Sequence, residues 1–353
     1  MDIWYGGCKI AVQDVIPYSM KIVSFEADNQ TKEIFSASFT GHDVAYVDEP
    51  LNEDSVSHAE DAEVITVFVN SSVTAPVIKR LAKARLIVTL STGYDHIDVV
   101  AAAAQGISIA SVPGYGSQAV AEHTFALLLS LSRRVFDAYH QIREEGNFSI
   151  ERLQGFDLAG KTLGIIGTGR IGKKVAQIAN GFGMKIIAFD PKPDASLRER
   201  FGVTYIDLPE LFKAADIVTV HVPLIPETLH LINDRAFALM KHGVCIVNTA
   251  RGEVIDTAAL LSGLKSGKVA GAALDVLEGE RELREEAELI TGQKKINDLK
   301  SIIRGHILID LSNVIVTPHI AFHSREADME RISTGAEIVR AFADGKSIQT
   351  ISA

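Results

Sequence analysis

The sequence lacks three features that would each assign it to a specialised class of protein. Its 353 residues include only two cysteines, Cys8 and Cys245, which argues against a disulfide scaffold and fits a reducing cytoplasm. No apolar run reaches the ~20 residues that a membrane-spanning helix needs. Basic residues are outnumbered, since 45 Asp and Glu against 35 Lys and Arg give a net charge of −10, which argues against a nucleic acid or an anionic membrane as the main partner.

The first 19 residues also lack the pattern of a secretory signal, because no charged start precedes an apolar core. Met20 leads directly into an apolar, β-branched run that is typical of a strand. We therefore expect residues 1–19 to form an extension outside the fold.

What the sequence does contain is a nucleotide-binding pattern between residues 161 and 190. Thr162–Ile166 is apolar and β-branched, as in a buried strand, and it leads into GTGRIG at Gly167–Gly172, which fits G-x-G-x-x-G. An amphipathic helical segment follows, and then a second strand, Lys185–Phe189, that ends in Asp190. A lone glycine triplet could be a simple strand–helix turn. Strand, triplet, helix, strand and acid in one unit instead predict a dinucleotide site in a Rossmann domain.

The glycines and the acid of this unit have different physical roles. Gly167 permits a tight turn, Gly169 lets backbone N–H groups approach a pyrophosphate, and Gly172 lets the helix pack closely on the strand. Asp190 follows the triplet at about the 20-residue spacing at which a carboxylate accepts hydrogen bonds from the adenosine ribose. Because a 2′-phosphate would meet like charge there, Asp190 favours NAD over NADP.

Strand and helix patterns alternate along the rest of the chain, which is typical of α/β domains with parallel sheets. We predict two doubly wound parallel-sheet domains, the second a Rossmann NAD-binding domain inserted into the first. The substrate (catalytic) domain is expected to comprise residues 20–116 and 318–353, and the NAD-binding domain residues 117–317. A charged stretch at 281–305 breaks the alternation and is interpreted as a solvated surface insertion.

Ser117–Val135 is predicted to be a long helix whose apolar residues cover most of its circumference. Such a helix is either a core helix of one domain or a helix that bridges domains or subunits. The width of the apolar stripe favours the second interpretation.

Side chains with catalytic chemistry follow the strands predicted for the second domain. Arg251, Asp275 with Glu280 shortly beyond it, and His319 each come after a predicted strand. Ligands of open parallel sheets bind beyond the carboxyl ends of the strands, so these side chains are expected to converge there. An arginine, a carboxylate and a histidine suit hydride transfer to a carbonyl, because they supply a charged fork, an acid and a proton donor.

Several motifs together resemble one family of dehydrogenases. They are GTGRIG with Asp190, NTARG at Asn248–Gly252, GAALDVLEGE at Gly271–Glu280, TPHIAF at Thr317–Phe322, STGYDHID at Ser91–Asp98 and VPGYGSQAVAEH at Val112–His123. From about Met20 to the C-terminus the chain is similar to the D-isomer-specific 2-hydroxyacid dehydrogenases, and within them it looks most like the fermentative D-lactate dehydrogenases. The resemblance implies an NAD-dependent oxidoreductase acting on a small 2-keto or 2-hydroxy acid, with pyruvate and D-lactate as the expected pair.

The resemblance also implies roles for individual residues. Arg251 would grip the substrate carboxylate with a bidentate fork, His319 would be the general acid/base, and Glu280 would be its acidic partner. The other substrate-binding residues that it implies are Thr92, Gly93, Tyr115 and Phe322. Beside the glycines and Asp190, the cofactor-binding residues that it implies are Arg170, Ile171, Val222, Pro223, Thr228, Thr249, Ala250, Arg251 and Asp275.

Some of these assignments have competitors within the sequence. Glu280 is selected by its spacing alone, because Glu278 and further acids crowd the same stretch. Where many relatives carry an aromatic residue after Asp-Val, this chain has Leu277. His96 stands among acidic residues, but no cluster of further ligands follows, so a helix start is favoured there and no metal site is expected.

Two alternatives to a pyruvate reductase stay open. The substrate could be a bulkier 2-keto acid, branched-chain or aromatic, or the chain could be a non-catalytic NAD-sensing binding protein of the same fold. The presence of Arg251, Glu280 and His319 together argues for an enzyme. The apolar face of Ser117–Val135 and the family resemblance also imply a homodimer.

Overall fold

The computed structural model describes residues 4–5, 8–9, 19–280, 283 and 299–352. It forms two compact units, Met1–Tyr115 with Arg325–Ala353, and Gly116–Ser324. Apart from Ser19 and two short paired strands, the expected extension at 1–19 lies outside the described residues. The expected insertion at 281–305 also lies outside them, except for Leu283 and the start of one helix. Within the described ranges, no helix has both the length and the apolar character needed to cross a bilayer.

Strands and helices alternate through most of this chain. The strands are β1 (Trp4–Tyr5), β2 (Cys8–Lys9), β3 (Lys21–Phe25), β4 (Asp43–Val47), β5 (Val64–Val67), β6 (Leu86–Thr89), β7 (Ser108–Ser111), β8 (Thr162–Ile166), β9 (Lys185–Phe189), β10 (Thr204–Tyr205), β11 (Ile217–Val220), β12 (Val244–Asn248), β13 (Val269–Leu274) and β14 (Val314–Val316). The helices are α1 (Asn29–Ser38), α2 (Ala75–Arg80), α3 (Val99–Ala104), α4 (Ser117–Ser132), α5 (Val135–Glu145), α6 (Arg170–Gly181), α7 (Ala195–Phe201), α8 (Leu208–Ala214), α9 (Asp234–Leu239), α10 (Thr257–Lys265), α11 (Leu299–Asp310) and α12 (Arg325–Ala343).

The first unit is built on a five-stranded parallel sheet in the order β4-β3-β5-β6-β7. β5 and β6 are buried along their whole length, as is usual for parallel strands that are covered on both faces. α1 begins after Asp28, whose carboxylate accepts a 2.7 Å hydrogen bond from the backbone N–H of Thr31. α12 packs on α1 and on β6, so the end of the chain completes this unit.

The second unit contains a seven-stranded sheet in the order β10-β9-β8-β11-β12-β13-β14, with every pair parallel. Alternate residues of its strands belong to separate cores: Ile166 and Val218 to one, Ile165 and Ile217 to the other. Because successive side chains of a strand point to opposite faces, each face of the sheet has its own hydrophobic core. The prediction of two parallel-sheet α/β domains, the second of Rossmann type, is therefore confirmed.

The helix predicted over Ser117–Val135 is shorter than expected. α4 ends at Ser132, and Arg134 then has a left-handed backbone conformation (φ +54°) that interrupts the helix. A second helix, α5, then runs from Val135 to Glu145.

The apolar residues of α4 are used inside the second unit. Phe125, Leu127 and Leu128 are buried in a core to which α6 also contributes. This packing matches the first of the two interpretations, a core helix of one domain, and the favoured interpretation as a bridging helix is not needed to explain the stripe.

The second boundary between the units lies at Ser324–Arg325, later than the expected position between residues 317 and 318. Asp275, which follows β13, accepts hydrogen bonds through its carboxylate from the N–H groups of Ile320 (3.0 Å) and Ala321 (2.8 Å). Its backbone carbonyl accepts a 2.8 Å bond from the N–H of His319. These bonds hold the segment after β14 in the second unit, and they join residues too distant in sequence for a local pattern to predict.

Candidate active site

Two of the three glycines in the turn between β8 and α6 stand where no side chain fits. Gly167 has φ +91°, and a Cβ there would lie 2.6 Å from the carbonyl oxygen of His221. A Cβ on Gly172 would lie 2.0 Å from the carbonyl oxygen of Gly167. A Cβ on Gly169, in contrast, would meet no atom of the described residues within 4 Å, so its outer side is open. Two glycines thus permit close packing, and the third leaves space for a ligand.

The N-terminus of α6 is suited to an anion. Gly169 precedes its first residue, Arg170, and no described side chain caps the N–H groups of the first turn. The partial positive charge of an uncapped helix N-terminus favours phosphate groups. The open side of Gly169 and these N–H groups together fit the pyrophosphate of NAD, with Arg170 and Ile171 at the first turn.

Asp190 lies beside this turn, because the N–H of Gly167 donates a 2.9 Å bond to the carbonyl of Phe189. Its Oδ2 accepts hydrogen bonds from the N–H (2.7 Å) and the hydroxyl (3.1 Å) of Thr168, and its Oδ1 accepts one from the N–H of Lys192 (2.7 Å). The carboxylate is therefore fixed at the end of β9, where the ribose of a dinucleotide is expected.

The loop after β11 contains Val222, Pro223 and Thr228. The hydroxyl of Thr228 donates a 2.6 Å bond to the carbonyl of Pro223 and accepts a 2.9 Å bond from the N–H of Ile225. The structure thus gives Thr228 a role in shaping the loop, and its predicted contact with the cofactor stays a prediction.

The turn after β12 is held by a side chain that the sequence did not single out. Asn248 donates from its amide nitrogen to the carbonyl of Arg251 (2.8 Å) and accepts at its amide oxygen from the N–H of Ala250 (3.0 Å). The buried hydroxyl of Thr249 lies 3.0 Å from the hydroxyl of Thr124 on α4. Both ends of this turn are therefore fixed, and the backbone that carries Arg251 is fixed with them.

Gly252 brings this turn into contact with the segment after β13. A Cβ at Gly252 would lie 2.1 Å from the carbonyl carbon of Leu277 and 2.3 Å from the nitrogen of Glu278. No side chain fits that gap. The glycine after Arg251 is therefore what allows the Arg251 turn and the stretch leading to Glu280 to approach each other.

Asp275 is buried and has several protein partners. Besides the N–H groups of residues 320 and 321, its Oδ1 accepts a 2.5 Å bond from the hydroxyl of Thr317 and lies 3.4 Å from Nε2 of His123. Burial by itself would raise the pKa of Asp275, but the hydrogen bonds from His123, Thr317 and the backbone hold it below the usual value. The carboxylate is therefore ionised at neutral pH, and it anchors the segment that carries His319.

His319 and Glu280 are brought together, as the sequence motifs implied. Nδ1 of His319 lies 2.7 Å from Oε1 of Glu280, and both side chains are half-buried. His319 has a left-handed backbone (φ +55°), an uncommon conformation for a residue other than glycine. The ring of Phe322 stands edge-on to the imidazole at 6.1 Å between centroids.

Glu278, the main competitor of Glu280, has different partners. Its Oε1 lies 2.8 Å from Nε2 of His230, and its Oε2 accepts a bond from the N–H of Thr257 (3.2 Å). The two acids, both beyond β13, are therefore engaged with two different histidines.

The remaining predicted substrate residues, Thr92, Gly93 and Tyr115, lie in the first unit. The hydroxyl of Thr92 donates to the carbonyl of Val112 (2.9 Å) and accepts from the N–H of Gly114 (3.2 Å), which joins the loops after β6 and β7. Tyr115 is buried.

Sequence reasoning passed over four residues that shape these positions. Thr168, Asn248 and Thr317 each lie inside a quoted motif, so attention to the polar members of the motifs would have found them. Tyr205, whose hydroxyl contacts Thr168, lies outside every motif and has no such signal.

Comparison with known proteins agrees with this geometry. The family model described as D-isomer specific 2-hydroxyacid dehydrogenase, NAD binding domain, matches residues 125–321. The D-lactate dehydrogenase of Escherichia coli is 39% identical over 324 residues, which cover 90% of this chain and 92% of that protein. The chain belongs to the D-isomer-specific 2-hydroxyacid dehydrogenase family. The resemblance seen in the motifs is thereby confirmed.

Further members of the family extend the comparison. The 2-hydroxyacid dehydrogenase homolog 1 of Schizosaccharomyces pombe is 41% identical to this dehydrogenase over 313 residues, or 87% of this chain and 92% of that protein. The solved structure of D-lactate dehydrogenase from Aquifex aeolicus, in complex with NAD and lactic acid, matches it with a TM-score of 0.82 and 32% identity, over 92% of this chain and 96% of that one. This dehydrogenase is an NAD-dependent oxidoreductase of the D-2-hydroxyacid class.

Proposed function

We propose that this dehydrogenase is a cytoplasmic enzyme that reduces pyruvate to D-lactate with NADH. The observation that carries the proposal is the 2.7 Å contact between Nδ1 of His319 and Oε1 of Glu280, which makes an acid–base pair out of two residues that share no local sequence context. D-lactate is the compound in the name of the Escherichia coli relative, and lactic acid is bound in the Aquifex aeolicus structure.

In this reaction NADH, when bound, supplies the hydride for the keto carbon. The chain's own residues supply the proton. Because Nδ1 of His319 is engaged by Glu280, Nε2 is the ring atom left to protonate the carbonyl oxygen. The contact with the carboxylate of Glu280 holds the imidazole in one orientation, so that Nε2 is positioned to donate the proton that reduction requires.

We assign the substrate carboxylate to Arg251, because a guanidinium binds a carboxylate through two parallel hydrogen bonds. Its half-buried position, on the backbone held by Asn248, would orient that fork. We further propose Thr92, Gly93, Tyr115 and Phe322 as substrate contacts; the first three lie in the first unit and Phe322 lies in the second.

We propose that the second unit binds the cofactor. The uncapped first turn of α6 and the fixed carboxylate of Asp190 support this assignment. The contacts proposed beyond the three glycines are those of Arg170, Ile171, Asp190, Val222, Pro223, Thr228, Thr249, Ala250, Arg251 and Asp275.

An assay of NADH oxidation with pyruvate, 2-oxobutyrate, 2-oxoisocaproate and phenylpyruvate tests the substrate. We expect the highest kcat/KM with pyruvate, and oxidation of D-lactate but not of L-lactate in the reverse direction. A higher kcat/KM with 2-oxoisocaproate or phenylpyruvate would replace pyruvate by a bulkier substrate. Binding of NADH without turnover of any of these acids would favour the sensing role.

We also propose a homodimer that forms through α5 and the segment after it. α5 has no buried residue, although one of its faces is apolar. The apolar side chains left exposed are Val135, Phe136, Tyr139, Ile142, Phe148 and Ile150, the last two by 82% and 86%. An apolar patch of this kind is typical of an interface, and a second copy of the chain is the expected partner.

The mass in solution tests this assembly. Light scattering at micromolar concentration should give twice the 38.2 kDa of one chain. Tyr139→Glu should shift the mass towards that of one chain, because it places a charge in the apolar face. A parent protein with the mass of one chain would contradict the proposal.

A further inference from the structure

The carboxylate of Asp190 stands at the end of a chain of hydrogen bonds that begins outside the glycine motif. The N–H of Asp194 donates to the hydroxyl oxygen of Tyr205 (3.1 Å). The hydroxyl of Tyr205 donates to Oγ1 of Thr168 (3.0 Å), and the hydroxyl of Thr168 donates to Oδ2 of Asp190 (3.1 Å). Tyr205 therefore reaches the ribose-binding acid through one intermediate residue.

The direction of each bond in this chain is fixed by its two ends. A backbone N–H can only donate, so the oxygen of Tyr205 accepts from Asp194 and its own proton is directed to Thr168. An ionised carboxylate can only accept, so the proton of Thr168 is directed to Asp190. A hydroxyl that receives a hydrogen bond is also the stronger donor.

Both ends of this chain are tied to the surrounding elements. The carboxylate of Asp194 forms an ion pair with Lys173 of α6 (2.6 Å) and accepts a hydrogen bond from the hydroxyl of Ser196 (2.7 Å). These contacts, with Lys173 contributing most, lower the pKa of Asp194 to about 2. The ring of Tyr205 packs against the core that α6 also joins, so its position does not depend on its hydroxyl.

We propose that Tyr205, acting through Thr168, is a specificity-determining positioning residue that makes the site select NADH over NADPH. The inference rests on the proposed role of Asp190. With the Tyr205 hydroxyl in place, Asp190 presents a fixed acceptor to a ribose 2′-hydroxyl, and Thr168 has no proton to offer to a 2′-phosphate. Without it, the hydroxyl of Thr168 is free to turn, so Asp190 keeps its backbone bonds but loses the bond from this hydroxyl, and the site gains a donor for phosphate.

The test is to titrate the enzyme with NADH and with NADPH in the absence of any keto acid. Nucleotide fluorescence reports the binding and gives a dissociation constant for each nucleotide. Tyr205→Phe should weaken NADH binding by about two- to ten-fold, the effect of one hydrogen bond, and should leave NADPH binding equal or tighter. The matched control is Tyr46→Phe, which removes a hydroxyl bonded to Ser36 (2.8 Å) in the first unit and should leave both dissociation constants unchanged.

Two further variants keep the result decisive. Thr168→Val should narrow the NADH preference as Tyr205→Phe does, whereas Thr168→Ser, which keeps the hydroxyl, should retain it. In an Asp190→Ala background, Tyr205→Phe should not change the ratio of the two dissociation constants any further, because the carboxylate that ends the series of hydrogen bonds is gone.

An unchanged ratio in both Tyr205→Phe and Thr168→Val would overturn the proposal. Equal weakening of both nucleotides with a lower melting temperature would also overturn it, because that result indicates a merely structural role. Since no substrate is present, these outcomes do not depend on pyruvate being the substrate. A ratio unchanged by Asp190→Ala itself would instead reject the role proposed for Asp190.

Discussion

Oε1 of Glu280 lies 2.7 Å from Nδ1 of His319, in a segment where several acids compete for the same role. Glu278, two residues earlier, is engaged instead by His230 and by the backbone of Thr257. Two neighbouring carboxylates of equal charge thus have separate partners, and each is the natural control for the other.

Glu280→Gln should lower kcat for pyruvate by about 10- to 100-fold, the effect of one hydrogen bond to a charged group, and leave NADH binding within about two-fold of the parent. The neutral amide replaces the carboxylate that contacts Nδ1 of His319, so the imidazole loses a charged hydrogen-bond partner. Glu278→Gln should leave kcat unchanged and lower the melting temperature, since it disturbs the contacts of His230 and Thr257. A loss of kcat in Glu278→Gln alone would exchange the roles of the two acids.

His319→Gln should lower kcat for pyruvate by about 10²–10⁴, the usual contribution of a general acid. NADH binding, measured by fluorescence titration, should stay within about two-fold of the parent, because the role proposed for His319 is on the substrate. His58→Gln, at an exposed histidine of the first unit, is the control and should change neither quantity. A kcat near the parental value would remove His319 from the mechanism.

Gly252→Ala should destabilise the protein by several kcal/mol, because the added methyl would lie 2.1 Å from the backbone of Leu277. Gly181→Ala, at the end of α6, meets no described atom within 4 Å and should be neutral or stabilising by about 0.5–1 kcal/mol. Urea unfolding of both variants makes the comparison. Equal stabilities would mean that the Arg251 turn and the Glu280 segment are not in contact.

The buried imidazole of His221 should make the free energy of unfolding decrease as the pH falls. Burial lowers its pKa to about 3 in the folded protein, and its Nδ1 has no hydrogen-bond partner among the described residues. Because the unfolded chain takes up the proton near pH 6.5 and the folded chain does not, the contribution is complete above that pH and declines towards pH 3, by at most about 1.4 kcal/mol per pH unit.

His221→Gln should therefore lose less stability than the parent between about pH 7 and about pH 5, measured as the free energy of unfolding in urea. The difference between the two proteins isolates His221, because the other titrating groups are common to both. Parallel curves would show that the imidazole is protonated in the folded state as readily as in the unfolded one.

The nucleotide unit could be predicted from sequence because its signals are local. β8 and β9 have the bounds that were expected, since each is an apolar run interrupted by glycine or by Asp190. The alternation of strands and helices likewise predicted the fold class. Such patterns report what a residue's near neighbours allow, and regular alternation of strand and helix implies a parallel sheet.

Three features depended on contacts that no local pattern contains. The break between α4 and α5 results from the left-handed backbone of Arg134. Arginine has no preference for that conformation, so the residue type does not predict the break. The late boundary at Ser324 depends on bonds from Asp275 to residues more than 40 positions away. Spacing alone selected Glu280 over Glu278, and the contacts that distinguish the two acids, with His319 and with His230, join residues distant in sequence.

The position of Asp275 also bears on how activity screens of this enzyme should be read. Its side chain and its carbonyl together hold three successive backbone N–H groups, those of His319, Ile320 and Ala321. Asp275→Ala would keep the carbonyl bond to the N–H of His319 but remove the side-chain bonds to Ile320 and Ala321. It would therefore leave His319, the proposed general acid, chemically intact but less firmly positioned. An activity screen would rank this carboxylate among the essential groups whether or not it contacts a ligand. Only a crystal structure of the variant would separate a displaced His319 from a lost contact between Asp275 and a ligand.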